Sequence, residues 1–440
     1  MSYNLPKCLA ATLSACAIED YATPTHAEGV AVKHRTHGPM QPQPQRTFKV
    51  KIMLNKSDVI SAVHRSGRQA VIAVTGGGSL VISDLLTVPG ASAFLLEASV
   101  PYASDALTQW LGRKPENFCA RETALAMATV AFQRGRQLGG ETSKLIGAGC
   151  TASLVSNQPK RGDHRAWIAT QTADCTEVLE YQLDKGLRDR LQEEQLVADL
   201  LLDQIASACG VTWIGPTNPM CQCESETAEP TLVMLWTGIR SWFWSMPPSE
   251  GTATNWSKFD TALTATSPRG LLSGAFNPLH DGHRELARVA DRLVGGPVAF
   301  EMSIVNVDKP PLDYLTIAAR RRQFTDRPLV LTTAPTFVEK SRLFPNTIFI
   351  VGIDTAERIV QPKYYHGREA DMLKALDEIR ANGCCFLVAG RLEGGQFQTL
   401  ADMPMPRSVR DLFEEISEHE FRRDLSSTEL RQHFNQCFQR

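Results

Sequence analysis

From Arg269 onward, short apolar runs alternate with amphipathic stretches, and this alternation restricts the fold more than any other feature of the chain. The spacing predicts strands at Gly270 to Phe276, Val298 to Val307, Leu329 to Thr333, Thr347 to Ile353 and Cys384 to Ala389, with helices between them. In the second run Val298, Phe300, Met302 and Ile304 alternate with smaller or polar residues, which is the period of a strand. Glu369 to Asn382 carries Leu373, Leu376 and Ile379 and stops at Gly383, as a helix would. Strands separated by helices imply an α/β fold with a doubly wound, mostly parallel sheet, whose ligands sit beyond the carboxyl ends of the strands.

An earlier periodic region runs from about Asn55 to Gly210 and predicts a separate α/β domain over 51–213. Ala70 to Val74 is a short apolar run ending in Gly76-Gly77-Gly78, a strand-to-loop signal. Ala93 to Val100, Leu145 to Gly147 and Ala166 to Ala169 read as further strands, and Arg121 to Arg136 as a helix. Leu187 to Cys209 reads as a long helix with a stripe of Leu187, Leu191, Val197, Leu201 and Ile205, stopped by Gly210. Residues 214–267 form a proline-punctuated connection in which Leu232 to Met246, with Trp236, Trp242 and Trp244, predicts a packed strand or hairpin. Residues 1–50 lack periodicity and include the linker-like run Pro39-Met40-Gln41-Pro42-Gln43-Pro44; they are expected to be an extension of little structure.

Composition excludes several classes. A net charge of −2 gives no reason to expect nucleic acid or an anionic membrane as a partner. No run approaches the roughly 20 apolar residues of a membrane span, and no secretory signal frames Leu9 to Ile18, so a cytoplasmic protein is expected. The eleven cysteines show no paired metal-ligand spacing and read as free thiols. Nothing in the sequence sets an oligomeric state, and a homo-oligomer is compatible with it.

The segment Ser273-Gly274-Ala275-Phe276-Asn277-Pro278-Leu279-His280-Asp281-Gly282-His283 carries the chemistry. It follows a strand and opens a helix whose Leu286, Ala290 and Leu293 share one face, which puts the helix start near Asp281. Unpaired N–H groups and the positive dipole end of a helix suit phosphate, and two imidazoles there can donate to phosphate oxygens. Gly274 and Gly282 let the backbone approach closely.

This segment resembles the signature of the HxGH nucleotidylyltransferase superfamily, which includes nicotinamide-mononucleotide adenylyltransferases. Leu425-Ser426-Ser427-Thr428-Glu429-Leu430-Arg431 is similar to that family's second motif; read directly, Ser426 and Glu429 form a capping box. The resemblance covers about Arg269 to Arg440. It implies a Rossmann-like domain over 268–440 that joins AMP from ATP to a nicotinamide-mononucleotide-like phosphate with release of pyrophosphate, a step of NAD biosynthesis. It implies His280, His283 and Arg431 as catalytic residues. Gly274, Phe276, Asn277, Gly282, Ser426, Ser427 and Thr428 would bind the nucleotide, with Gly352 and Asp354 from the similar Val351-Gly352-Ile353-Asp354 segment. Lys309 and Arg321 would approach phosphates. Mg²⁺ would arrive on the phosphate oxygens, with no metal ligand from the protein. Two alternatives stay open: transfer of an adenylyl or cytidylyl group to another phosphorylated acceptor, such as phosphopantetheine or an alcohol phosphate, and a nucleotide sensor without turnover.

In the first region, Leu85 to Phe94, Val100 to Ala106, Glu122 to Ala128, Gly149 to Ser153, Pro159-Lys160-Arg161-Gly162 and Trp167 resemble, in order and spacing, the CinA C-terminal domain, whose active members deamidate nicotinamide mononucleotide. That family's catalytic loop falls at Val74-Thr75-Gly76-Gly77-Gly78-Ser79, so its glutamate and serine become Val74 and Thr75. Tyr102 is kept, and the activating lysine falls at Leu107. Thr75, Tyr102 and Lys160 are therefore expected to mark a vestigial amidase site, because a hydroxyl nucleophile needs a base or cation beside it.

Overall fold

The computed structural model describes residues 55–157, 161–213, 221–245, 268–306, 310–393 and 396–422. Every described residue belongs to one compact unit, Met53–Arg440.

The first half of that unit contains α1 (Lys56–His64), β1 (Gln69–Thr75), α2 (Leu80–Thr87), β2 (Leu95–Ser99), α3 (Ser104–Leu111), α4 (Arg121–Gln137), β3 (Leu145–Ser153), β4 (His164–Gln171), β5 (Cys175–Leu183), α5 (Arg190–Ala208) and β6 (Cys221–Thr227). Its sheet has the order β2-β1-β3-β4-β5-β6. β1 runs parallel to β2 and β3, and the remaining neighbours are antiparallel. β1 is buried on both faces, as an unbroken Ala-Val-Ile-Ala-Val run requires. β5 and β6 escape the sequence reading because β5 interleaves its apolar residues with glutamates and β6 is largely polar and exposed. The long helix α5 begins later than the apolar stripe suggests. Asp189 accepts from the Gln192 N–H at 2.8 Å while Gln192 Oε1 accepts from the Asp189 N–H at 3.0 Å, a reciprocal cap that fixes the start. Leu187 falls outside the helix, and both it and Leu191 are exposed, so the buried stripe starts farther along at Val197.

The second half contains α6 (Pro230–Trp236), β7 (Trp242–Ser245), β8 (Gly270–Ser273), α7 (Asp281–Leu293), β9 (Val298–Ser303), α8 (Tyr314–Arg321), β10 (Leu329–Thr332), α9 (Phe337–Leu343), β11 (Ile348–Gly352), α10 (Ile353–Ile359), α11 (Glu369–Ala381), β12 (Cys385–Ala389), the small hairpin β13 (Arg391–Glu393) and β14 (Gln396–Gln398), and β15 (Phe413–Ile416). Its sheet has the order β15-β12-β11-β8-β9-β10-β7. All neighbours are parallel except the edge strand β7, which runs antiparallel to β10. Counting from β8, the parallel strands lie in the order 3-2-1-4-5-6 of a doubly wound, Rossmann-like sheet. The predicted α/β class with a doubly wound second half is therefore what the molecule adopts.

The aromatic stretch of the connection, expected as one strand or hairpin, is a helix followed by a strand. Pro230 at the first helical position starts α6, and the strand begins only at Trp242. The connection also supplies an edge to each sheet, β6 to the first and β7 to the second. One apolar cluster joins the halves: Phe132 and Leu145 pack with Leu232, Trp236, Phe276, Phe300 and Tyr314. Trp236 lies edge-on to Phe132 at 4.8 Å and 5.5 Å from the Tyr314 ring, and its Nε1–H donates to the Leu312 carbonyl at 2.9 Å. The Tyr314 hydroxyl donates to the Ala173 carbonyl at 2.5 Å.

Candidate active site

The order of the parallel strands reverses between β8 and β11, and there the loops leave the two carboxyl ends in opposite directions. β8 ends at Ser273; the loop 274–280 then leads into α7, which begins at Asp281 as its apolar spacing predicts. Phe276 points inward at a positive φ of 46° and is almost fully buried. It packs edge-on against Phe300, Phe324 and the His283 ring at 5.2–5.3 Å. Gly274 makes this turn feasible, because a Cβ there would stand 2.8 Å from the Phe276 ring. Phe276 is thus a packing anchor beneath the loop, while Asn277 is exposed at its tip and Gly282 is buried in the first turn of α7.

His280 is the N-cap of α7 and His283 lies in its first turn. Their rings are 3.8 Å apart and inclined by 31°, so they stack. The His280 N–H donates to His283 Nδ1 at 3.3 Å. That bond leaves the ring proton of neutral His283 on Nε2, a hydrogen-bond donor. Burial, reinforced by the neighbouring His280, pushes the proton affinity of His283 down to about 3, and burial lowers that of His280 as well. The pair is uncharged near neutral pH before a ligand binds. Ser273 Oγ and His280 Nδ1 are buried and take no hydrogen-bond partner among the described residues. Buried polar atoms are normally satisfied, so the two mark unspent capacity at this end of β8.

Gly352 caps α10 at the carboxyl end of β11, beside the loop that follows β8, and Asp354 lies in the first turn of α10. The Asp354 carboxylate pairs with Arg391 of β13, a partner that no sequence motif indicated. Arg321 is not at the histidine pair. Its guanidinium donates to Ser245 Oγ and pairs with Glu229, both at 2.8 Å, and lies over the Phe243 ring, so it ties α8 to β7 and α6. The preceding residue is the one that reaches the loop: Arg320 Nη1 donates to the Ala275 carbonyl at 3.0 Å. Gln323, also unmarked by any motif, accepts from the Leu279 N–H at 2.8 Å and donates to the Phe276 carbonyl at 3.3 Å. Lys309 and the segment with Ser426, Ser427, Thr428 and Arg431 lie outside the described residues, as does Lys160.

In the first half, Thr75 ends β1 and is buried. Gly76 follows at φ 76°, where a Cβ would meet the Ala152 carbonyl oxygen at 1.9 Å, so the turn presses directly on β3. Two adjacent glutamates of α5 fasten this end of the sheet. Glu194 accepts from the N–H and the hydroxyl of Ser79 at 2.6 and 2.7 Å. Glu193, fully buried, accepts from the Val155 N–H at 2.6 Å and lies 2.8 Å from His164 Nδ1. Tyr102 is 68% exposed, and among the described residues no hydrogen bond or ion pair joins it to Thr75.

No protein-family model and no curated protein matches the chain. Among solved structures it is similar to the competence/damage inducible protein CihA from Agrobacterium tumefaciens, at 18% identity and a TM-score of 0.28, over 36% of this chain and 94% of that one. It is also similar to a CinA superfamily protein from Klebsiella pneumoniae, at 12% identity and a TM-score of 0.29, over 36% and 99% of the two chains. A competence or damage-inducible protein from Enterobacter asburiae is similar at 14% identity and a TM-score of 0.30, over 36% and 98%. Among the described residues no helix is long and apolar enough to cross a membrane.

Proposed function

We propose that the second half of the chain is a nucleotidylyltransferase that transfers AMP from ATP to a nicotinamide-mononucleotide-like phosphate. The observation that carries this reading is the stacked His280/His283 pair at the start of α7, placed where the parallel strands reverse order. The acceptor class rests on the sequence likeness of both halves to proteins of nicotinamide nucleotide chemistry.

The reaction needs no protein nucleophile. An acceptor phosphate oxygen attacks the α-phosphorus of ATP, the new P–O bond forms in line with the breaking bond to the β-phosphate, and pyrophosphate leaves. The protein's share is to hold the two phosphates in line and to stabilise the charge that moves onto the leaving group. His283 offers a neutral Nε2–H donor, and the start of α7 adds the fixed positive potential of a helix N-terminus. Mg²⁺ is read as part of the substrate, arriving on the triphosphate. Arg431 and the Ser426–Thr428 hydroxyls are assigned to the same triphosphate on the sequence motif. The first half is read as a non-catalytic module, because the resemblance puts Leu107 where the activating lysine falls, while Thr75 is buried and Tyr102 exposed.

Incubating the full-length protein with ATP, Mg²⁺ and a panel of phosphorylated acceptors, and measuring pyrophosphate, tests the reading. Release with nicotinamide mononucleotide well above that with phosphopantetheine or an alcohol phosphate supports it. Tight ATP binding with no pyrophosphate from any acceptor overturns it in favour of a sensor.

A further inference from the structure

The loop that presents the histidines is built around an inward aromatic residue at positive φ and a proline that cannot donate, so its own backbone bonds are few. Its shape is set instead by the end of α8 and the turn that follows. Gln323 bridges the two limbs of the loop with one amide: Oε1 accepts from the Leu279 N–H at 2.8 Å, and Nε2 donates to the Phe276 carbonyl at 3.3 Å. Arg320 adds the bond to Ala275, and the Arg284 guanidinium in the first turn of α7 donates back to the Gln323 carbonyl at 2.9 Å. Phe324, the next residue, lies edge-on to Phe276 at 5.3 Å. The backbone on each side of Asn277 and Pro278 is therefore fastened to one side chain, immediately ahead of His280.

We propose that Gln323 is a positioning residue for nucleotidyl transfer, holding the 276–279 turn so that His280 stacks on His283 and fixes its Nε2–H toward the substrate. The transfer part rests on the function proposed above; the clamp itself does not. A side chain that accepts from one limb and donates to the other cannot be replaced by an acid or an apolar chain of equal size without releasing at least one limb.

The test uses full-length Gln323→Met and Gln323→Glu, with Mg-ATP and nicotinamide mononucleotide as probes. Two readouts are taken: pyrophosphate kinetics, and the side-chain ¹⁵N shifts of His283, assigned by their loss in His283→Gln. The wild type is expected to show one neutral tautomer with Nδ1 unprotonated. Gln323→Met should mix the tautomers and lower kcat roughly 100-fold, the scale of a small misplacement, while KM for ATP changes little. Gln323→Glu, which keeps the acceptor and loses the donor, should fall between, and it decides the matter should the methionine variant not fold. Wild-type tautomer and wild-type turnover in either folded variant overturn the clamp. Mixed tautomers in the variants of a protein that releases no pyrophosphate even as wild type support the clamp and overturn the transferase reading.

Discussion

His283 is an uncharged hydrogen-bond donor, which separates this pair from one built on paired cations. Its ring is half-buried against Phe276 and His280, and that desolvation is the main reason it resists protonation. Above pH ~6.5 the imidazole is neutral in both folded and unfolded chains. As the pH falls toward about 3, the unfolded chain takes up a proton that folded His283 refuses, so stability is lost on the acid side. Chemical denaturation should show the wild type losing about 2 kcal/mol more than His283→Gln between pH 6.5 and pH 5. Identical slopes in the two proteins would contradict the desolvated, neutral assignment. The pair of imidazoles was legible in the sequence because two histidines and two glycines are spaced around a helix start. Gln323 and Arg320 were not: their role is to reach backbone atoms of a loop far away in the chain, and no local pattern encodes that. Arg321, expected to approach phosphates, holds Ser245 and Glu229 instead, because three consecutive arginines offer no way to tell which side of α8 each one takes.

At the scale of elements, the strand β9 carries a fully buried Glu301 next to the site, and the Gly274 N–H donates to its carbonyl at 3.0 Å. The Glu301 carboxylate accepts from Lys340 Nζ of α9 and from Thr332 Oγ1 of β10, both at 2.7 Å. The pair locks α9 against the middle of the sheet. Removing one partner leaves a buried charge, so Lys340→Met should cost about 3–5 kcal/mol, whereas Glu301→Gln with Lys340→Met should recover most of it. Equal losses in the single and double variants, read by denaturant unfolding, would show that the pair does not act as a unit. The parallel strands were legible because they are short unbroken apolar runs that helices separate. The antiparallel strands β5 and β6 and the parallel edge strand β15 were not, because they carry polar residues on an outer face or edge, where burial leaves no hydrophobic signature.

At the scale of the whole molecule, the two halves read in the sequence as separate domains share a core at Phe132, Trp236 and Tyr314. Trp236 is nearly fully buried there and hydrogen-bonded through its indole. Trp236→Ala is expected to cost about 3–5 kcal/mol, and calorimetry should show one transition for the wild-type unit and two for the variant. Two resolved transitions in the wild type would mean that the halves are independent. The shared core was invisible in the sequence because apolar residues do not name their partners.

The imidazole pair at the start of α7 is proposed to serve nucleotidyl transfer. Pyrophosphate release from Mg-ATP and nicotinamide mononucleotide by wild type and His283→Ala, alongside their unfolding midpoints, tests it most directly. A loss of at least ~100-fold in kcat is expected, the scale of removing one preorganised donor, in a variant that folds as well as the wild type at neutral pH. Turnover that His283→Ala leaves unchanged would contradict it.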